Sequence, residues 1–391
     1  MKIKGLVVHI AGSAGVTNSN GEVVKVDDII FAHVLVKEIV KKFLSVGARF
    51  IVQVGQEPFI DTSRGSISKT FDWTVIETVD SFLAEHGVSN RIPSPLIGVA
   101  IQPLQRKIPS SRHSMWQRLV KNGLVRIEYP PSGWHSGALR RKLSSEFGHL
   151  LIAIGGGEGV EHLAREYMGL GKPVIPMDLD IGSGSNDGGG GALWLLKRHS
   201  DQLNELFRVE AGKSAATMMA TIETQGGSEH PEQIAQSLLE LVLAIEPPPA
   251  FFVRLLDPNA TEFPEVETFF RTIVDTFISE IGYKKKEMGT SRREKFWLNE
   301  EIFYELDRSA LTVVDLTGLR PNCLIELGYA LAKGKNFILT SKKGTVLPFD
   351  VRMIDCLFWK VDSDFKESMA QLRNYWRRKS SRLDDAPGSE T

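Results

Sequence analysis

The 391-residue chain is expected to be α/β, built as two doubly wound parallel-sheet domains, and three stretches carry that expectation. Gly5 to Ile10 is a β-rich run that enters the glycine turn AGSAG, a helical stretch and a second β-rich run. His149 to Pro176 reads strand, glycine turn, helix, strand. Ala310 to Lys335, ALTVVDLTGLRPNCLIELGYALAKGK, repeats the scheme with an acid, Asp315, at the strand tip. Strands alternating with helical patterns through short turns specify parallel sheets.

In chain order, Asp28 to Leu44 has helical apolar spacing (Ile29, Ile30, Val34, Ile39, Phe43), and Gly47 stops it before a strand over Ala48 to Val54. A helix follows around Trp73 to His86, then a strand at Leu96 to Ile101, a helix around Ser114 to Lys121 and a short strand at Leu124 to Tyr129. Leu150 to Ile154 is continuously apolar, as a strand covered on both faces requires. The helix Val160 to Met168 ends at Gly171, and Lys172 to Pro176 starts the next strand. A second glycine tract, Gly182 to Gly191, precedes a helical run from Ala192 to His199, and helices are expected over Gln202 to Phe207 and Pro231 to Ala244. A proline-rich linker over 246–250 separates a first domain, 1–245, from a second, 251–376, with a polar tail over 377–391 that is expected to be disordered. In the second domain Ala250 to Leu256 opens a sheet. Pro264 to Ile281 is an amphipathic helix, the basic cluster Lys284 to Lys295 reads as solvated loop, and Leu298 to Leu306 is a helix. Phe337 to Thr340 is a strand, and Leu347 to Trp359 supplies a loop and the last strand.

Composition narrows the function. With 47 basic and 48 acidic residues there is no general attraction to nucleic acid or anionic membrane. No run approaches the ~20 apolar residues of a membrane span, so the expected address is the cytoplasm. Two cysteines, Cys323 and Cys356, make neither a disulfide framework nor a four-thiolate zinc site, and no metal ligand is assigned.

Two sites follow from the turns. Gly155, Gly156, Gly157 and Gly159, with Glu158 among them, let backbone N–H groups approach an anion with no Cβ in the way. Gly12 and Ser13, in the first glycine turn, and Gly189 and Gly190, in the second tract, join them as candidate nucleotide contacts. The plain alternatives are a turn that needs glycine and a surface loop. In the second half Pro321 suits the first helical position, and Asn322 and Glu326 share a helix face near Asp315. A buried glutamate on an apolar helix is costly unless it is paired or functional. The chemistry it fits is N-glycosidic cleavage, in which a carboxylate attacks the anomeric carbon or stabilises the oxocarbenium-like transition state. The alternative is a local hydrogen-bond network.

Arg140, Arg141 and Lys142, the apolar strand and GGGEGV together resemble the SLOG superfamily, which includes the LOG phosphoribohydrolases and DprA. Its enzymatic pattern, GGxGT with two glutamates, places Val160 at the threonine and His162 and Leu163 at the glutamates. The resemblance therefore implies a nucleotide binder that has lost the hydrolase acids, with Arg140 and Arg141 at the ligand. The LGKPVxP strand and glycine loop are similar to the subgroup fused to sirtuin-type or TIR effectors, which senses cyclic ADP-ribose isomers in Thoeris-type antiphage systems. DLTGLRPNCLIELGYALAKGK, with Pro348, Phe349 and Asp350, resembles a TIR-like and nucleoside 2-deoxyribosyltransferase-like family, DLTGxNPNVxYELGxAxAxGK. Against the WCxxEL of TIR domains, Glu326 falls on the catalytic glutamate, while Asn322 replaces tryptophan and Arg320 replaces serine. Together the resemblances imply a Rossmann-like first domain and a flavodoxin-like second. They imply an antiphage effector in which a nucleotide second messenger switches on hydrolysis of NAD, with Glu326, Asp315 and Asn322 catalytic. NAD is then substrate, with no cofactor, and a homo-oligomer is the expected active form. A nucleoside or nucleotide N-glycosidase, a deoxyribosyltransferase and a non-catalytic nucleotide-binding protein are the other readings.

Overall fold

A computed structural model describes residues 5–18, 20–62, 65–87, 94–100, 107–130, 136–182, 191–222, 230–287 and 298–382. The chain divides into two compact units, Met1–Glu246 and Pro247–Thr391.

Unit 1 is built on six parallel strands: β1 (Val7–Ser13), β2 (Arg49–Gln53), β5 (Leu96–Val99), β6 (Val125–Glu128), β7 (Leu150–Gly155) and β8 (Val174–Pro176). They run in the order β6-β5-β2-β1-β7-β8. The order reverses between β1 and β7, so the crevice at their carboxyl ends is the switch point where open α/β sheets bind ligands. Register there pairs Ser13 with Gly155. Apolar residues cover both faces: Ile29, Val36, Ile39 and Phe43 of the helix Val26–Ser45 pack below, and Leu143 and Phe147 of the helix Ser136–Phe147 pack above. A hairpin, β3 (Phe59–Thr62) with β4 (Gly65–Ser68), was not among the expected elements. Its polar, weakly patterned residues carry little strand signal. The segment after it bridges back to Ser13 through Thr70.

Unit 2 is a five-stranded parallel sheet of β9 (Pro249–Val253), β10 (Lys284–Glu287), β11 (Leu311–Asp315), β12 (Phe337–Lys342) and β13 (Leu357–Trp359). The order β10-β9-β11-β12-β13 puts the switch point between β9 and β11. The expected pair of doubly wound parallel sheets is what the chain forms, one with a Rossmann-like and one with a flavodoxin-like order. Several boundaries differ. The Lys284 end of the basic cluster is the edge strand β10. Its lysines project outward, and Lys285 and Lys286 pair with Asp275 and Glu305, which suits an edge. Pro249 already belongs to β9, paired with Lys284, so the linker is shorter than 246–250. The last helix, Phe365–Arg382, continues six residues into the segment read as tail, since Met369, Leu372, Tyr375 and Trp376 bury an apolar stripe. The helix expected over Gln202 to Phe207 is one 3-10 turn, Leu203–Glu205, followed later by a helix Ala215–Ala220. No helix among the described residues is long and apolar enough to cross a membrane.

Candidate functional site

The β1/β7 crevice of unit 1 is shaped by glycines that have little choice. A methyl group on Gly12 would overlap the Ile154 carbonyl of β7. Gly155 and Gly156 both have positive φ, 56° and 77°, and side chains there would strike Ile181 and Val160. The Gly156 N–H donates to the Ser13 carbonyl at 2.7 Å, tying the two turns together. Packing and turn geometry therefore account for Gly12, Gly155 and Gly156. Gly157 and Gly159 are different. Gly157 is the N-cap of the helix Glu158–Gly169 and supplies no side-chain cap. Glu158 and Gly159 are exposed in its first turn, and a methyl on Gly159 would meet nothing within 4 Å. Their N–H groups have no acceptor among the described residues, as the first turn of a helix leaves them. A glycine that neither packing nor backbone conformation requires, beside open amides, is a position for close approach of an anion.

Arg140 stands at this edge with its Nε buried and unpartnered among the described residues. It is half-buried, and desolvation lowers its pKa, opposed by the charge of Asp72. Asp72 is the residue that the sequence reading passed over. It opens the helix Asp72–His86, and its Oδ1 accepts the Gln53 N–H at 2.7 Å. Burial pushes its carboxyl up to about 6, resisted by that N–H and by Arg140. An aspartate in a helix's first turn normally reads as a cap, so the sequence offered no separate signal. Arg141 is half-buried and adds a second positive charge that bears on Arg140. Arg112 and buried Glu57 are bound to each other, 2.9 and 3.0 Å, and so are engaged. Gly189 and Gly190 lie outside the described residues.

Buried Lys172, of the LGKPV strand start, donates to the carbonyls of Ser145, Glu146 and Gly148 at 2.7, 2.9 and 2.8 Å. It caps the end of the helix that carries Arg140, where carbonyls lack intrahelical partners.

In unit 2, Asp315 ends β11 fully buried. Its Oδ1 accepts the Thr317 N–H at 3.0 Å, and its Oδ2 accepts Thr340 Oγ1 at 2.7 Å and Trp359 Nε1 at 2.9 Å. Burial raises its pKa and these donors lower it. The carboxylate thereby pins β11 to β12 and β13, and the Trp359 ring lies flat on Phe269, centroids 4.5 Å apart. The turn then passes through Gly318 at φ 74° and Leu319 at φ 47°. Leu319 is the one non-glycine residue with positive φ among the described residues, a strained conformation at the sheet edge. Arg320 is the N-cap and Pro321 the first residue of the helix Pro321–Ala332.

Glu326 lies half-buried in that helix and makes no hydrogen bond or ion pair to the described residues. Burial pushes its carboxyl up to about 7. Asn322 is exposed four residues earlier, on the same face. Between them Cys323 is buried, and its thiol is pushed up to about 12 by burial first, then by Glu326 and Asp315, with Arg320 opposing. The structure brings Glu326 and Asn322 to one helix face and sets Asp315 beneath, with both of its oxygens engaged. A separate groove of about 450 Å³ lies along the β12–β13 connection, lined by Val346, Leu347, Arg352, Met353, Cys356 and Phe358 among others; Glu326 is not in its wall. Phe349 of the PFD element is 78% exposed beside it.

Residues 3–242 match the family described as ATP nucleosidase Cap17-like, N-terminal, which leaves unit 2 outside the match. Over 229 residues the chain is 24% identical to the ATP nucleosidase Cap17 of Escherichia coli strain KTE188, and equally to that of Escherichia coli. The alignment takes in 58% of this chain and 43% of each relative, so the chain spans less than half the length of the curated relatives it matches. The matched residues contain the whole β1/β7 crevice, from Gly12 and Ser13 to Arg140 and the Gly155–Gly159 turn. By that match the chain belongs to the Cap17-like N-terminal family.

Proposed function

We propose that the chain is a nucleotide-gated hydrolase of an N-glycosidic bond, acting as an antiphage effector. Unit 1 binds the nucleotide signal and unit 2 cleaves. The observation that carries this reading is Glu326, a half-buried carboxylate with no partner among the described residues, held at about 7 on a helix that opens from the switch point of a parallel sheet. In the reaction the bond from the base nitrogen to C1′ breaks, and its electron pair leaves with the base. Ionised Glu326 stabilises the positive charge on C1′, or bonds to it and is displaced when water attacks. The water oxygen replaces the base, and the water proton passes to solvent or to a departing base that needs one. In this reading Asn322, exposed on the same helix face, hydrogen-bonds the sugar. Asp315 works by holding the turn, because its oxygens are already engaged.

NAD is the substrate favoured by this chemistry. Nicotinamide leaves a pyridinium as a neutral base and needs no proton, whereas adenine needs a general acid. The buried Cys323 thiol, three residues before Glu326 and pushed up to about 12, is a poor one. ATP is the second reading, supported by the relatives' name. In unit 1 the open amides of Glu158 and Gly159 with Arg140 suit the phosphate of a signal such as a cyclic ADP-ribose isomer. Gating requires that the signal bind the active arrangement more tightly, and a homo-oligomer is the arrangement proposed. The test is mass spectrometry of the full chain with NAD or ATP, alone and with a panel of cyclic nucleotides. Nicotinamide released only when one of the panel is present supports the first reading, and adenine from ATP the second. Release of neither base under any condition would leave a nucleotide-binding protein.

A further inference from the structure

Arg320 ends the turn between Asp315 and the Glu326 helix, and its guanidinium is short of partners. Its Nε is buried without a hydrogen-bond partner among the described residues. Its closest ion pair, with Asp257 Oδ2, is 4.0 Å long. The side chain is 41% exposed, so its tip reaches the surface while Nε is turned inward. Glu262 lies across the same gap: its Oε2 and Arg320 Nε stand 3.6 and 4.0 Å from the point where a side chain on Gly318 would begin. Neither carboxylate closes a hydrogen bond onto Nε.

The backbone keeps the arginine there. Gly318 and Leu319 are both left-handed, and a leucine holds that conformation only where the surroundings impose it. The helix that follows has no acid in its first turn to draw the guanidinium along its own face. Arg320 caps the helix that carries Glu326, so the turn at the sheet edge and the helix it opens hold a cation with an open donor and a carboxylate with no partner among the described residues. They stand six positions apart along the helix, a rise of about 9 Å.

Resting on the N-glycosidase reading of Glu326, we infer that Arg320 binds a phosphate of the substrate, so that the site selects nucleotides over nucleosides. A planar guanidinium offers the fork of donors that a phosphate accepts, and a lysine cannot reproduce it. The arginine that replaces the serine of the TIR pattern is then a specificity residue.

Two measurements decide it. The Arg320 Nε–H signal of the full chain, identified by its loss in Arg320→Lys, is titrated by nuclear magnetic resonance with inorganic phosphate, ADP and adenosine. Phosphate and ADP are expected to move it and adenosine to leave it in place; a signal indifferent to phosphate and ADP overturns the assignment. Separately, base release from ATP, NAD and adenosine is compared for the wild type and Arg320→Ala with the panel of cyclic nucleotides present, and thermal unfolding confirms that the variant folds. The variant is expected to lose about 10- to 100-fold in kcat/KM on the phosphorylated substrates and nothing on adenosine. Equal loss on all three makes Arg320 a structural residue and overturns the inference. If the wild type releases no base at all, the reading of Glu326 fails, while the phosphate titration still decides the role of Arg320.

Discussion

A half-buried carboxylate with no hydrogen-bond partner destabilises the fold that holds it, and Glu326 is in that position. Its raised pKa means that the folded state holds the proton more tightly than the unfolded chain. Stability therefore falls as pH rises from about 4.5 to about 7, and the penalty is complete above that. Glu326→Gln removes it, so the melting temperature of the variant relative to wild type is expected to climb between pH 5 and pH 8. Equal melting differences across that range would mean that Glu326 does not titrate as described. Substitution of Asp315 should instead destabilise the fold. Asp315→Asn turns one acceptor oxygen into a donor facing Thr340, Trp359 or Thr317. It should cost unit 2 about 2–4 kcal/mol in denaturant unfolding. Gly159 separates binding from packing. Gly159→Ala meets no neighbour and should stabilise the helix by about 0.5 kcal/mol or more, while weakening nucleotide binding measured by calorimetry. Unchanged affinity would remove the first-turn amides from the site.

The strand–turn–helix units were readable because their chemistry is local. The continuous apolar run of β7, the β-branched run into Asp315, Pro321 at the first helical position and glycine at the turns each carry a signal within a few residues. What the sequence hides is set by distant partners. The β3–β4 hairpin has no alternating apolar face. The bond of Asp315 to Trp359 spans 44 residues, and only the closed sheet reveals that the carboxylate is already engaged. Asp72 looks like a helix-start acid until Arg140 is brought beside it. Lys172 is another such case, since its three carbonyl acceptors lie at the end of a helix more than twenty residues earlier. Lys172→Met should lower the stability of unit 1 by about 2 kcal/mol or more and loosen the helix that carries Arg140. Hydrogen exchange over residues 136–147 would register that loosening.

At the scale of the whole molecule, two parallel sheets each offer a switch-point edge, and the two edges are chemically unlike. The edge in unit 1 presents open amides and arginines and lies within the family match, while the edge in unit 2 presents a raised carboxylate and lies outside it. This division suits binding in one unit and bond cleavage in the other. The most direct test is the initial rate of base release from NAD and ATP across pH 5 to 9, with the activating nucleotide present, for the wild type and Glu326→Gln. On the proposal that the ionised carboxylate does the work, the wild-type rate should rise with pH through about 7, and Glu326→Gln should fall to background at every pH. Turnover by Glu326→Gln near the wild-type rate would contradict the role given to Glu326.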